Sequence, residues 1–228
     1  MIKFFSKAIA FIFVFNSFAA GVKAEIRRAK IVITSGDVRS GKTSLAKMLT
    51  GCNYQSYHKT LNFEGREIEF ELGNNKIVWA MLYDSPGYFY YDFDESFQKA
   101  ICEGCENAHL VIMVINARSQ YQNGHEDCFS RIAKINPDCK FIFVITQMGI
   151  CLNKTKDFIK NKLIGEEFKE RTEAICYAPE LYDIIRNYFM NNYDKLPKTP
   201  ENLYSRIFEK ETEITIKEKK KVFYINHY

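Results

Sequence analysis

The sequence predicts an α/β fold: a doubly wound, mostly parallel six-stranded sheet with one antiparallel strand. Three observations carry this expectation. Apolar, β-rich runs alternate with helical patterns of roughly ten to eighteen residues, the order that parallel sheets require. Two of those runs, HLVIMVIN at 109–116 and KFIFVIT at 140–146, are apolar almost throughout, as in central strands covered on both faces. A further pair of runs flanks Gly73-Asn74-Asn75, a hairpin signal that supplies the antiparallel member.

Composition agrees and excludes other classes. The 228 residues suffice for one domain and a short appendage. With 46% apolar and 26% charged residues the chain can bury a core, which excludes wholesale disorder. Thirty-two Lys and Arg against 28 Asp and Glu leave +4, too small a surplus to argue for nucleic acid as a partner. Seven Cys do not make a disulfide framework, and the odd number leaves one thiol unmatched within the chain.

Residues 1–24 stand apart from the domain. Lys3 and Lys7 flank a short basic start, Ala8 to Ala20 is an apolar run, and Val22-Lys23-Ala24 offers small or β-branched side chains around a cleavage point. That is the pattern of a secretory signal. An uncleaved anchor is the competing reading, although the run would span only about 20 Å of a roughly 30 Å hydrocarbon core. Lys23, Arg27, Arg28 and Lys30 against Glu25 would then put the following domain on the cytosolic side. A buried N-terminal helix is the third reading. The first two imply a membrane or the secretory pathway, with the side of the membrane left open.

The domain proper is expected over 25–194. Ala29 to Ser35 reads as a buried strand ending at Gly36, and Thr43 to Thr50 as a helix stopped by Gly51. A polar loop, Cys52 to Thr60, leads to hairpin strands Asn62–Leu72 and Ile77–Tyr83. Asp84 to Asp94 is turn-rich and aromatic. Glu95–Glu106 reads as a helix, His109–Asn116 as a strand, Gly124–Ile135 as an amphipathic helix and Lys140–Thr146 as a strand. Lys154–Thr172 reads as a long charged helix, Ala174–Tyr177 as a short strand and Leu181–Asn192 as a last core helix. The extension 195–228, with Pro197, Pro200 and the basic run Lys217 to Lys221, reads as a solvated tail.

One motif carries chemistry. Gly36-Asp37-Val38-Arg39-Ser40-Gly41-Lys42-Thr43 fits G-x-x-x-x-G-K-[ST] at every fixed position, after a β run and at the start of a helix. The glycines let the backbone bend round a phosphate while successive N–H groups and a helix N-terminus face its oxygens. Lys42 would reach the β and γ oxygens and Thr43 would offer its hydroxyl to Mg²⁺. Asp84-Ser85-Pro86-Gly87 matches D-x-x-G at a strand end. Asp84 would hold Mg²⁺ there and the Gly87 amide would meet a γ-phosphate. Thr60, in the loop between the two motifs, stands where a switch threonine closes on metal and γ-phosphate.

The candidate set is therefore Gly36, Asp37, Val38, Arg39, Ser40, Gly41, Lys42, Thr43, Ser44, Gly87, Thr146 and Gln147 for nucleotide. Thr43, Thr60 and Asp84 would attend the metal, and Lys42 and Thr60 would act on the transferred phosphate. Arg39 is a conceivable cis cation or simply a solvated loop residue.

GDVRSGKTSL, Thr60 and DSPG resemble small P-loop GTPases of the translation-factor-related class. The stretch from Asn107 to Arg118, with Tyr121, Glu126 and the helix to Ile135, looks most like AIG/GIMAP-type G domains. The resemblance covers roughly Lys30 to Asn192. It implies GTP/GDP binding with Mg²⁺, and often oligomerisation on membranes.

Two departures stand against it. The guanine-reading [NT]-K-x-D is here Thr146-Gln147-Met148-Gly149, which lacks the carboxylate. Losing such an acceptor costs about 1.5–3 kcal/mol, roughly ten- to a hundredfold in discrimination. Relaxed base specificity, weak binding, or an acceptor such as Asn153 or Asp157 would each account for it. The position of the water-orienting Gln is Tyr88, so slow intrinsic hydrolysis is expected. A G domain working as a docking scaffold with little hydrolysis, and an ATPase on the same fold, are the alternatives.

Two further constellations are weighed. Cys102-x-x-Cys105 with His109 invites zinc, but the cysteines sit a helical turn apart with no second pair. The aromatic cluster Tyr88 to Phe93 suits core filling and an exposed contact patch equally.

Overall fold

The computed structural model describes residues 24–37, 39–51, 63–88, 95–118, 122–146, 159 and 169–199. It has a six-stranded sheet in the order β2-β3-β1-β4-β5-β6. The strands are β1 (Glu25–Thr34), β2 (Glu64–Gly73), β3 (Lys76–Asp84), β4 (Leu110–Asn116), β5 (Lys140–Thr146) and β6 (Thr172–Tyr177). Four described α-helices join them: α1 (Lys42–Thr50), α2 (Glu95–Gly104), α3 (Gln122–Ile135) and α4 (Leu181–Asn192). Only β2 with β3 is antiparallel; the other four pairings are parallel.

Alternation along the strands explains the double winding. Ile31 and Ile33 of β1, Leu110, Ile112 and Val114 of β4, and Ile142 and Val144 of β5 face one layer. There they meet Leu45, Ala46 and Leu49 of α1 and Leu181, Ile185 and Phe189 of α4. Val32, Val111, Met113, Ile115, Phe141, Phe143 and Ile145 face the other layer, against Ile101 and Cys102 of α2 and Cys128, Phe129 and Ile132 of α3. Phe129 sits edge-on to Phe141 at 4.7 Å. Strands apolar on both sides can be buried only in this way. The chain leaves β1 toward β3 on one side and returns to β4 on the other, so a crevice opens at the carboxyl ends of these central strands.

Several boundaries depart from the sequence reading, each for a physical reason. β1 begins at Glu25 rather than Ala29, because Glu25 to Arg28 pair with Lys76 to Trp79 despite their charge. Arg28 keeps its guanidinium 5.8 Å above Trp79. β2 and β3 close on a two-residue turn in which Asn74 and Asn75 both have positive φ, as the hairpin signal requires.

α2 stops at Gly104, short of Glu106, with Asn107 at φ 58 completing the turn. Cys105 therefore lies beyond the helix. α3 starts at Gln122, two residues before Gly124. His109 precedes β4, its Nδ1 accepting the Lys30 N–H at 3.0 Å. Of the long charged helix expected over Lys154–Thr172, the described residues are Ile159, which is helical, and 169–172, where a 3₁₀ turn, Lys169–Arg171, gives way to β6 at Thr172. Arg171 is held there by the carbonyls of Ala133, Asn136 and Cys139 and lies 5.2 Å over Phe141.

Lys195 belongs to the 3₁₀ turn Tyr193–Lys195, and buried Leu196 accepts the Arg27 Nη1 hydrogen bond at 2.9 Å. Tyr193 donates its phenol to the Glu25 carbonyl. The chain divides after Leu196 into units Met1–Leu196 and Pro197–Tyr228. Of the second unit only 197–199 are described.

Cys102, Cys105, Cys128, Cys139 and Cys176 are buried free thiols, and burial pushes their acidity down; Cys102 rises to about 12. No group of three or more His, Cys, Asp or Glu side chains able to hold a metal ion occurs among the described residues. No described helix is long and apolar enough to cross a membrane, and the signal-or-anchor segment lies outside the described residues.

Candidate phosphate site

The G-x-x-x-x-G-K-T loop joins the carboxyl end of β1 to α1, at the crevice. Among its described residues, Arg39 at φ 57 and Gly41 at φ 96 are left-handed. Gly41 is the N-cap of α1, and the helix starts without a side-chain cap. The first amides of a helix have no partner within it, so this end is electropositive.

Lys42 is 6% exposed and lies across the loop it belongs to. Its ammonium donates to the Asp37 carbonyl at 3.3 Å and to Ser40 Oγ at 3.4 Å. Burial lowers its pKa, with Asp84 and Asp37 pulling the other way. A desolvated ammonium held by long, weak bonds favours an anion as its partner.

Thr43 donates its hydroxyl to Asp84 Oδ2 at 2.6 Å, across 41 positions of sequence. Asp84 is 2% exposed at the end of β3, opposite Ile33. A hydroxyl and a carboxylate side by side are two hard oxygen donors of the kind Mg²⁺ takes, so the residues present fit that ion.

The D-x-x-G turn is stitched to β1. The Ser85 N–H donates to the Ile33 carbonyl at 3.0 Å and the Tyr88 N–H to the Ser35 carbonyl at 3.2 Å. Gly87 is buried between them. From β5, Thr146 donates its hydroxyl to the Ser40 carbonyl at 2.6 Å and lays its methyl group beside Gly41. Thr146 thus braces the G-x-x-x-x-G-K-T loop.

The fold gathers Gly36, Asp37, Ser40, Gly41, Lys42, Thr43, Asp84, Gly87 and Thr146 at one end of the sheet. Arg39 and Ser44 are exposed. Val38, Thr60 and Gln147 lie outside the described residues, as do Met148, Gly149, Asn153 and Asp157.

Sequence reasoning missed the contribution of α3. His125, 1% exposed, accepts the Gly36 N–H on Nδ1 at 3.2 Å. A Cβ on Gly36 would stand 2.3 Å from the Gly124 and His125 backbone, so this glycine is needed for contact with α3. Burial lowers the His125 pKa to about 4, a shift that Asp37 opposes and Lys42 adds to. Two residues on, Asp127 accepts the Tyr88 phenol and the Arg131 Nε. Tyr88 is thereby turned into the core: the core-filling reading of that aromatic holds for Tyr88, and 89–93 lie outside the described residues. The signal was available in the spacing. His125, Cys128, Phe129 and Ile132 fall on one buried helical stripe, which puts an imidazole where a hydrophobe belongs.

No family model matches the chain, and no curated protein matches it in sequence.

Proposed function

We propose that this chain is a Mg²⁺-dependent P-loop GTPase-like protein that binds GTP and GDP and hydrolyses GTP slowly. The observation that carries the reading is the pairing of Thr43 with Asp84 at 2.6 Å beside the buried ammonium of Lys42. Two motifs distant in sequence meet where a nucleotide's phosphates and their cation would need them.

In this reading the α1 amides and Lys42 bind the β and γ phosphates, and Thr43 and Asp84 hold Mg²⁺, with Thr60 as the switch threonine. The cation would neutralise charge on the phosphate oxygens. Gly87 would present its amide to the γ-phosphate. Tyr88 faces α3, so its side chain orients no water, and turnover below about 1 s⁻¹ is expected.

A second reading is a G domain that acts as a docking or assembly scaffold with little hydrolysis. The orientation of Tyr88 and the loss of the guanine-reading carboxylate at Gly149 favour it. An ATPase with altered base preference is the third. Association with a membrane or the secretory pathway, and with further copies of the chain, belongs to this proposal through residues 1–24 and the family resemblance.

Denaturing the purified full chain and identifying any released nucleotide by chromatography separates the three. GTP or GDP supports the first reading, and ATP or ADP the third. An empty protein whose melting temperature ignores added GDP, GTP and ATP with Mg²⁺ overturns nucleotide binding and leaves the scaffold.

A further inference from the structure

Helix α3 brings a buried imidazole against the start of the phosphate loop. The direction of the hydrogen bond fixes its chemistry. The Gly36 N–H can only donate, so His125 Nδ1 accepts at 3.2 Å and the ring proton sits on Nε2. Nε2 is buried and has no hydrogen-bond partner among the described residues. The backbones are equally committed, since an added Cβ at Gly36 would stand 2.3 Å from Gly124 C and His125 N. At this contact the loop cannot shift toward α3, and the Gly36 amide cannot turn away without leaving a buried donor unsatisfied.

We propose that His125 is a positioning residue: by accepting the Gly36 amide proton, it holds the first turn of the phosphate loop in the shape that admits a nucleotide. The inference rests on the nucleotide-binding reading for its consequence, though not for its geometry. His125 reaches the ligand only through Gly36, and a shape-matched apolar ring would fill the space without providing the acceptor. An asparagine carbonyl can stand near the place of Nδ1 and supply it.

The test uses the full chain in three forms: wild type, His125→Phe and His125→Asn. Nuclear magnetic resonance should show a through-hydrogen-bond coupling between the Gly36 amide nitrogen and His125 Nδ1 in the wild type. His125→Phe should speed hydrogen exchange of the Gly36 and Asp37 amides roughly tenfold and weaken Mg²⁺–GDP binding by about the same factor, measured by calorimetry. His125→Asn should recover most of both effects, which loss of packing alone would not allow.

Absence of the coupling overturns the proposal. So does a His125→Phe protein with wild-type exchange and affinity, or an Asn variant no better than Phe. If the wild type binds no GDP, GTP or ATP, the nucleotide reading fails by itself, and coupling and exchange still decide whether His125 positions the loop. Should His125→Phe fail to fold, His125→Ala against His125→Asn makes the same comparison.

Discussion

Two helix starts lie against one loop and are built in opposite ways. α1 begins at Gly41 with no side-chain cap, and its polar residues, Lys42 and Thr43, turn toward the phosphate loop and Asp84. α3 begins beside the same loop, and its polar residues, His125 and Asp127, are engaged by Gly36 and Tyr88. One start is left without a side-chain cap on its first amides; the other fastens two loops. A polar residue near a helix N-terminus therefore has no fixed meaning. What decides is the chemistry of its partner: the loop's own oxygens and a carboxylate at α1, a backbone amide and a phenol from two loops at α3.

The largest test of this contrast is a pair of glycine substitutions. Gly36→Ala puts a methyl group into the α3 backbone at 2.3 Å, with no flexible side chain to yield. A cost of about 3 kcal/mol is expected, or failure to fold. Gly41→Ala meets the Thr146 side chain first, at 3.6 Å, and its burden is a φ of 96. That strain is worth about 1–2 kcal/mol. Chemical denaturation of both proteins checks the order, and equal losses would mean that the contact of α3 with Gly36 is looser than described.

Next comes Lys42→Ala, which removes the buried ammonium on the α1 side and its two long bonds to the loop. Removing a desolvated ammonium should leave the melting temperature of the nucleotide-free protein unchanged or higher. Nucleotide affinity should fall roughly a hundredfold, about 2.7 kcal/mol. A thermal shift series with Mg²⁺ and GTP reads both, since ligand stabilisation follows the ratio of free ligand to Kd. Retained stabilisation would place the phosphates elsewhere.

How far the sequence could be read follows the same division. Lys140–Thr146 and Leu181–Asn192 match at both ends, because a continuous apolar run and a clean helical stripe are local signals. The start of β1 was hidden by its charges, which only the pairing with β3 makes tolerable. The charged pattern through Lys169–Arg171 read as helix, where Arg171 is fixed instead by the end of α3. Within the site, the α1 side was legible as a motif of eight consecutive residues. The α3 side was not, because Gly36 meets His125 across 89 positions and Tyr88 meets Asp127 across 39.

A third effect is set by pH. His125 has its pKa lowered from 6.5 to about 4, and His109 is shifted in the same direction, chiefly by burial. Both are neutral acceptors when folded. Between about pH 6.5 and 4 the unfolded chain binds more protons than the native one, so stability declines as pH falls through that window. Above the window neither contributes a slope. The charges facing His125 from the phosphate loop, Asp37 and Lys42, act in opposite directions. At about pH 5 the cost from His125 is about 2 kcal/mol. Melting curves at about pH 7 and 5 should therefore differ less for His125→Asn than for the wild type; an equal difference would mean that the imidazole is not held neutral.

The smallest effect concerns the second fastening. Tyr88→Phe removes the phenol that Asp127 accepts, while the Tyr88 N–H to Ser35 and the Arg131 bond to Asp127 remain available. Asp127 is partly exposed and can be resolvated, so about 1 kcal/mol is expected, a fall of a few degrees in melting temperature. Hydrolysis should not change with it. Tyr88→Gln tests the same point from the other side, because it introduces the residue type that orients water in small GTPases. Position 88 directs its side chain at α3, so the glutamine should land against Asp127 and leave turnover slow. A tenfold rise in GTP turnover in Tyr88→Gln would show that this fastening opens, and that α3 only lends the side chain at position 88 a resting place.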